Sequence, residues 1–171
     1  EYNAQIQRSD GEWRVEDTWP PIDSEDYLFD LGDCGNDGAF TGGLPVIGGG
    51  APVVGGGQTV TVECPEINPD FPMHISGLVT LHLSAVPTFD GGQIFVEMQN
   101  METGARIGHA TMDVRYHEGG YEPQTVVPGQ EITMMMEFQA IDAIVKPGQG
   151  IRFILSDTGE DYLAPACGSA C

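Results

Sequence analysis

From Gln58 onward the chain alternates apolar and polar residues in short runs, the period-two signature of half-buried strands. In 58–64, Val60, Val62 and Cys64 fall on one face and Thr59, Thr61 and Glu63 on the other. The run 78–85 sets Val79, Leu81, Leu83 and Ala85 against Thr80, His82 and Ser84. Further on, Ile94, Val96 and Met98 point inward, and Met112, Val114 and Tyr116 oppose Asp113, Arg115 and His117. The last two runs give Ile132, Met134, Met136 and Phe138, then Ile151, Phe153 and Leu155. No segment keeps a helical repeat beyond two turns. The separators FDGG (89–92), ETG (102–104), VPGQ (127–130) and KPGQG (146–150) carry turn chemistry. About eight short strands of this kind predict an all-β fold, an antiparallel β-sandwich of jelly-roll type. Its two sheets would bury their alternating sets roughly 10 Å apart.

Upstream of Gln58 the pattern is different. Residues 1–25 read as an extended arm that leads into the sandwich, and 24–33 as a first short strand. Residues 35–57 hold ten glycines and two prolines, a composition that supports a loop and neither a helix nor a long strand. The expected organisation is therefore an arm over 1–25 at a domain seam, and one sandwich over 26–171 with a Gly-rich loop at 35–57. Both tryptophans, Trp13 and Trp19, lie in the arm and run into Pro20 and Pro21. Trp13, Trp19, Pro20 and Pro21 are expected to be packing anchors at that seam, as large apolar surfaces with an N–H that needs a partner.

Composition narrows the function. At 171 residues and 40% hydrophobic, the chain has enough apolar material for one core. No run approaches the ~18 apolar residues of a membrane-spanning helix. The chain opens with Glu1, with no initiator Met and no signal peptide, as a processed or excised piece would. A net charge of −20 with six basic residues argues against nucleic acid, whose phosphates need Lys/Arg. Lys146 is the only lysine, and such a lysine-poor, acidic surface suits a halophilic source, with an ordinary acidic extracellular protein as the alternative. Cys34, Cys64, Cys167 and Cys171 form an even set, which points to disulfides and an extracellular location. Cys34 with Cys64 and Cys167 with Cys171 is the preferred pairing; free buried thiols are the alternative.

Catalytic chemistry is sparse. None of the six serines sits in G-x-S-x-G, the nucleophile elbow. His74, His82, His109 and His117 lie on separate runs without metal-binding spacing; His82 and His117 share outward faces and could share a site. Asp30, Asp33, Asn36 and Asp37 could offer oxygens to Ca²⁺, but the same residues make ordinary turns. Arg115 is expected in a structural ion pair, with Glu160 the chosen partner and Glu118 or Asp161 alternatives. Met135 should face outward between two core methionines. Nothing calls for a metal or other cofactor.

Five stretches occur in order: GEWRVEDTWPP, ISGLVTLHLSAVPT, IGHATMDVRYHEGG, VVPGQEITMMMEFQAIDAIVKPGQGIRFILSDT and GEDYLAP. Together they resemble the C-terminal domain of the cocaine esterase/X-prolyl dipeptidyl-peptidase family of serine hydrolases, from about Gly11 to Pro165. The resemblance implies an upstream α/β-hydrolase domain with a Ser–Asp–His triad that cleaves esters or amides, including X-Pro dipeptides. No position here matches the triad, so the chain alone is expected to be non-catalytic. It would pack on the catalytic domain and help wall its pocket, and WRVEDTWPP resembles the family's crossover into the sandwich. The family continues past GEDYL with a last strand, so an exposed edge is expected here. Two other readings remain at this level. One is a free-standing extracellular subunit, a filament or surface protein, assembling with copies of itself by strand exchange. The other is a carbohydrate-binding module, for which Phe95 and Tyr121 are the exposed aromatic candidates.

Overall fold

The computed structural model describes residues 4–8, 11–26, 28, 59–64, 72–87 and 90–156, of which 59–64 by backbone alone. Ten strands account for most of them: β1 Ala4–Gln7, β2 Trp13–Glu16, β3 Thr59–Cys64, β4 Met73–Gly77, β5 Thr80–Ala85, β6 Gln93–Asn100, β7 Arg106–Asp113, β8 Ile132–Glu137, β9 Ile141–Val145 and β10 Ile151–Ser156. All pairings are antiparallel. One sheet has the order β3-β10-β6-β7; β4 pairs with β9 and β5 with β8. The protein is thus an all-β antiparallel sandwich, as the alternation predicts. The pairing is nested, β6 with β7 inside β5 with β8, inside β4 with β9, inside β3 with β10, which is the pattern of one long hairpin rolled up.

The core forms where the alternating faces meet. In β8, Ile132, Met134 and Met136 are buried while Thr133, Met135 and Glu137 are exposed. Leu81, Leu83, Ile94, Val96, Met98, Phe153 and Leu155 join them, with Ala143 and Val145 of β9. The packing is tight at Gly108, where an added Cβ would lie 2.6 Å from Ile141 Cδ1 and 3.4 Å from Phe138 Cδ1. A side chain there fits between β7 and β9 only if Ile141 shifts. The turns follow the expected chemistry: Gly104, Gly129 and Gly148 all have φ in the left-handed region.

The structure departs from the pattern in four places. β4 and β9 are short strands outside the runs named from the alternation. The leading arm folds back on itself: β1 and β2 pair from Ala4↔Glu16 to Gln7↔Trp13. The run ending at Tyr116 is not all strand, because β7 stops at Asp113 and a 3₁₀ turn covers Val114–Tyr116. Asp113 causes this break: its carboxylate accepts from the Arg115 N–H at 3.0 Å, capping the turn in place of another strand residue. Finally, Phe95 is not an exposed aromatic. It is 4% exposed, in the interior strand β6 and 5.6 Å from the His109 ring, whereas Tyr121 is fully exposed. They offer no common sugar platform.

The proposed first strand at 24–33 lies largely outside the described residues, as do the Gly-rich loop, Asp30, Asp33, Asn36, Asp37, Cys34, Cys167, Cys171 and Glu160. Cys64 ends β3.

Candidate functional site

The densest polar constellation joins the N-terminal hairpin to the sandwich. Alternation in β2 puts Arg14 and Glu16 on its inner face and Trp13 and Val15 on its outer face. Arg14 reaches across to β4 and β9. Its Nε donates to Asp142 Oδ2 at 2.9 Å, and its Nη2 to Asp142 Oδ1 at 3.3 Å and to Ser76 Oγ at 2.7 Å. Nη1 donates to Glu16 Oε1 at 2.7 Å, and the guanidinium carbon lies 5.9 Å from the centroid of the Trp19 ring. His74 Nε2 also meets Asp142 Oδ1. The register explains the convergence: Ser76 lies directly opposite Asp142, and His74 is two residues along on the same face.

Asp142 is the buried member, with 1% of its side chain exposed against 22% for Arg14. A carboxylate in that position is tolerable only when paired and hydrogen-bonded, as here by a guanidinium and an imidazole. Ser76, His74 and Asp142 invite comparison with a hydrolytic triad, but the chemistry differs. In a triad the imidazole stands between the carboxylate and the hydroxyl. Here the serine hydroxyl accepts from Arg14, and the same guanidinium holds the carboxylate. The arrangement fastens two elements together and activates no nucleophile.

A second contact closes the joint. Gly77 ends β4 with φ 127°, and Pro20 packs onto it so closely that a Cβ would sit 3.2 Å from Pro20 Cγ. The Trp19–Pro20 peptide is cis, and Pro21 is buried. The four residues expected at a seam therefore separate. Trp19, Pro20 and Pro21 lie toward the chain's own sandwich, whereas Trp13 is 67% exposed, with Val15 beside it at 58%.

The outer face of the four-stranded sheet carries another network. Glu97 pairs with Arg106 Nη2 at 3.0 Å and accepts from Gln99 Nε2, and Gln99 accepts from Arg152 Nε at 2.8 Å. Burial opposes the charge on Glu97. The hydrogen bonds from Gln99 and Arg106, with the charges of Arg106 and His109, outweigh it and hold the carboxyl below its ordinary range. Arg115, in the 3₁₀ turn, pairs with Asp113 at the end of β7, Nη2 to Oδ2 at 2.5 Å. The hydrogen bonds from Arg115 dominate over burial and lower the Asp113 carboxyl as well.

The four histidines do different things. His74 belongs to the joint, His82 is exposed on β5, His109 stacks near Phe95, and His117 Nδ1 contacts the Val114 carbonyl at 2.9 Å. Among the described residues no group of three or more His, Cys, Asp or Glu is placed to hold a metal, and no helix is long and apolar enough to cross a membrane. Sequence reasoning missed Arg14, Ser76 and Asp142. The one local signal was the period-two run Trp13-Arg14-Val15-Glu16, which reads as a strand with a charged inner face.

Comparison with known proteins sets this geometry in context. A family model described as the X-Pro dipeptidyl-peptidase C-terminal non-catalytic domain matches residues 70–168. No curated protein matches the sequence. Among solved structures, a CocE/NonD family hydrolase from Staphylococcus aureus aligns over 98% of this chain and 35% of its own, with a TM-score of 0.58 at 12% identity. An α-amino acid ester hydrolase aligns over 63% of this chain and 20% of its own, with a TM-score of 0.51 at 15% identity. An aminopeptidase from a marine sediment Thaumarchaeota archaeon gives the same coverage, with a TM-score of 0.50 at 13% identity. At such identities the likeness is one of fold. The chain spans about a fifth to a third of the length of these structures.

Proposed function

Because the chain belongs to the family of X-Pro dipeptidyl-peptidase C-terminal non-catalytic domains, we propose that it serves as the accessory β-sandwich of a serine hydrolase, packing on an α/β-hydrolase domain and helping to wall its pocket. The observation that carries this reading is the family match over residues 70–168. The chemistry would be that of the catalytic domain: attack by a serine, a histidine base and an acyl-enzyme, on esters or X-Pro peptides. The sandwich contributes a rigid body, and the Arg14–Asp142 joint fixes how the seam segment containing Trp13, Trp19, Pro20 and Pro21 is held against it. An extracellular setting, with Cys34, Cys64, Cys167 and Cys171 in disulfides and an acidic, salt-tolerant surface, completes the reading. It rests on the cysteine count and a net charge of −20.

The test uses material from the native source. Labelling with a covalent serine-hydrolase probe is followed by a reducing, denaturing gel and peptide identification. Peptides of this chain in a labelled band well above 18.3 kDa are expected. Finding them only in an unlabelled band near 18.3 kDa overturns the proposal.

A further inference from the structure

We propose that the N-terminal hairpin is a two-sided adaptor: its inner face is fastened to the sandwich, and its outer face, centred on Trp13 and Val15, is the docking surface for the catalytic hydrolase domain. This rests on the proposed function and assigns a surface to it. The inner face is occupied, with Arg14 and Glu16 committed to Asp142, Ser76 and each other. The outer face presents Trp13 and Val15, flanked across the hairpin by the exposed Gln7 and Gln5. Further along the chain Ile22 is 93% and Leu28 94% exposed. These four make up four of the nine large hydrophobic residues exposed among the described residues, gathered within 13–28 of the chain. Trp13 and Val15, two residues apart on one face of β2, form the contiguous apolar part of this surface. A tryptophan at the centre of a small apolar patch is the residue type that dominates interface energetics.

Two observations identify the occupant. The S. aureus hydrolase accommodates 98% of this chain within 35% of its own, so in a protein of that layout most of the polypeptide lies outside the sandwich and is available as its partner. Charge then defines the surface that would fit. Asp17, Asp23, Glu25 and Asp26 are all exposed in the segment that follows β2, while Glu12 pairs with Arg8. The complementary surface is an apolar socket for the indole, ringed by lysine or arginine. A second copy of this chain carries the same acids and would meet them as like charges.

The test is hydroxyl-radical footprinting of the wild-type protein, with Trp19 as an internal standard because it is shielded by the chain's own joint. Oxidation is compared in the longest native polypeptide that contains this chain and in the isolated 171-residue chain. The expected result is loss of Trp13 oxidation in the longer polypeptide, down to the level of Trp19, and ready oxidation of Trp13 in the isolated chain. Equal oxidation of Trp13 in both overturns the docking surface and leaves the accessory role standing. Protection of Trp13 in the isolated chain that grows with concentration assigns the face to a second copy and also overturns it. If no polypeptide longer than this chain is found, both the surface and the accessory role fall.

Discussion

Asp142→Asn keeps the shape of the buried side chain and removes its charge. The substitution weakens two guanidinium hydrogen bonds, at 2.9 and 3.3 Å, and the His74 contact. A hydrogen bond to a charged group contributes roughly 1.5–3 kcal/mol, and removing one partner of a fully buried ion pair costs about 3–5 kcal/mol. Arg14 is 22% exposed and retains Glu16 and Ser76, so solvent and these partners recover part of the loss. The expected cost is about 2–3 kcal/mol. It should fall on the hairpin before the sandwich, and the chain supplies its own reporters. Trp13 and Trp19 are the only tryptophans, so fluorescence reads the hairpin while far-UV circular dichroism reads the strands. In urea, the wild-type transitions should coincide; in the variant, the fluorescence midpoint should fall by about 1 M ahead of the dichroism. Arg14→Met should cost less in the Asp142→Asn background than in the wild type, the difference being the Arg14–Asp142 coupling, while the loss of the Glu16 and Ser76 bonds is common to both. If the two midpoints stay coincident and unmoved in Asp142→Asn, the reasoning is wrong and the joint does not hold the hairpin.

Three further outcomes follow from the packing and the charges. Gly108→Ala forces a methyl 2.6 Å from Ile141 Cδ1 and should cost about 1–3 kcal/mol in denaturation; Ile141→Val, which removes that atom, should recover part of the loss in the same background. Met134→Ala, at 0% exposure, should cost about 2–5 kcal/mol, while Met135→Ala, 52% exposed, should stay within about 0.5 kcal/mol by the same assay. Glu97 has a folded-state pKa below its reference value of 4.5, so as the pH falls the unfolded chain takes up the proton first. The stability due to Glu97 is complete above pH 4.5 and is lost as the pH falls through the folded-state value, and Glu97→Gln should flatten that part of a stability–pH profile.

The local pattern revealed the strands whose two faces differ in polarity. β5, β8 and β10 were legible because each buries every second side chain, and Met134, Met135 and Met136 sort as the alternation requires. β4 and β9 were harder to read because each is only five residues long, and in β9 the apolar Ile144 breaks the alternation; what their polar residues His74, Ser76 and Asp142 bind was not legible because that partner lies far away in sequence. Arg14 is 62 residues from Ser76 and 128 from Asp142, and no window reading joins them. Phe95 was misjudged for a different reason: it shares a face with the half-buried Glu97 and Gln99 yet is itself covered, so β6 buries Ile94, Phe95 and Val96 in succession where alternation expects an exposed position. The 3₁₀ turn after β7 came from one side chain, Asp113, competing for a backbone N–H. The family resemblance, which draws on the order of motifs along the whole chain, survived all of these local errors.

The nested pairing also dictates an order of assembly. β6 and β7 are neighbours in the chain and can meet at once, and each pair then brings the ends of the next within reach, which keeps every later loop closure short. β10 is the exception. It lies between β3 and β6, so the four-stranded sheet cannot be completed until Ile151–Ser156 slots into the gap. During synthesis the edge of β6, with Val96 and Met98 on it, stays unpaired until that strand has left the ribosome. The four-stranded sheet is therefore completed only by β10, its keystone.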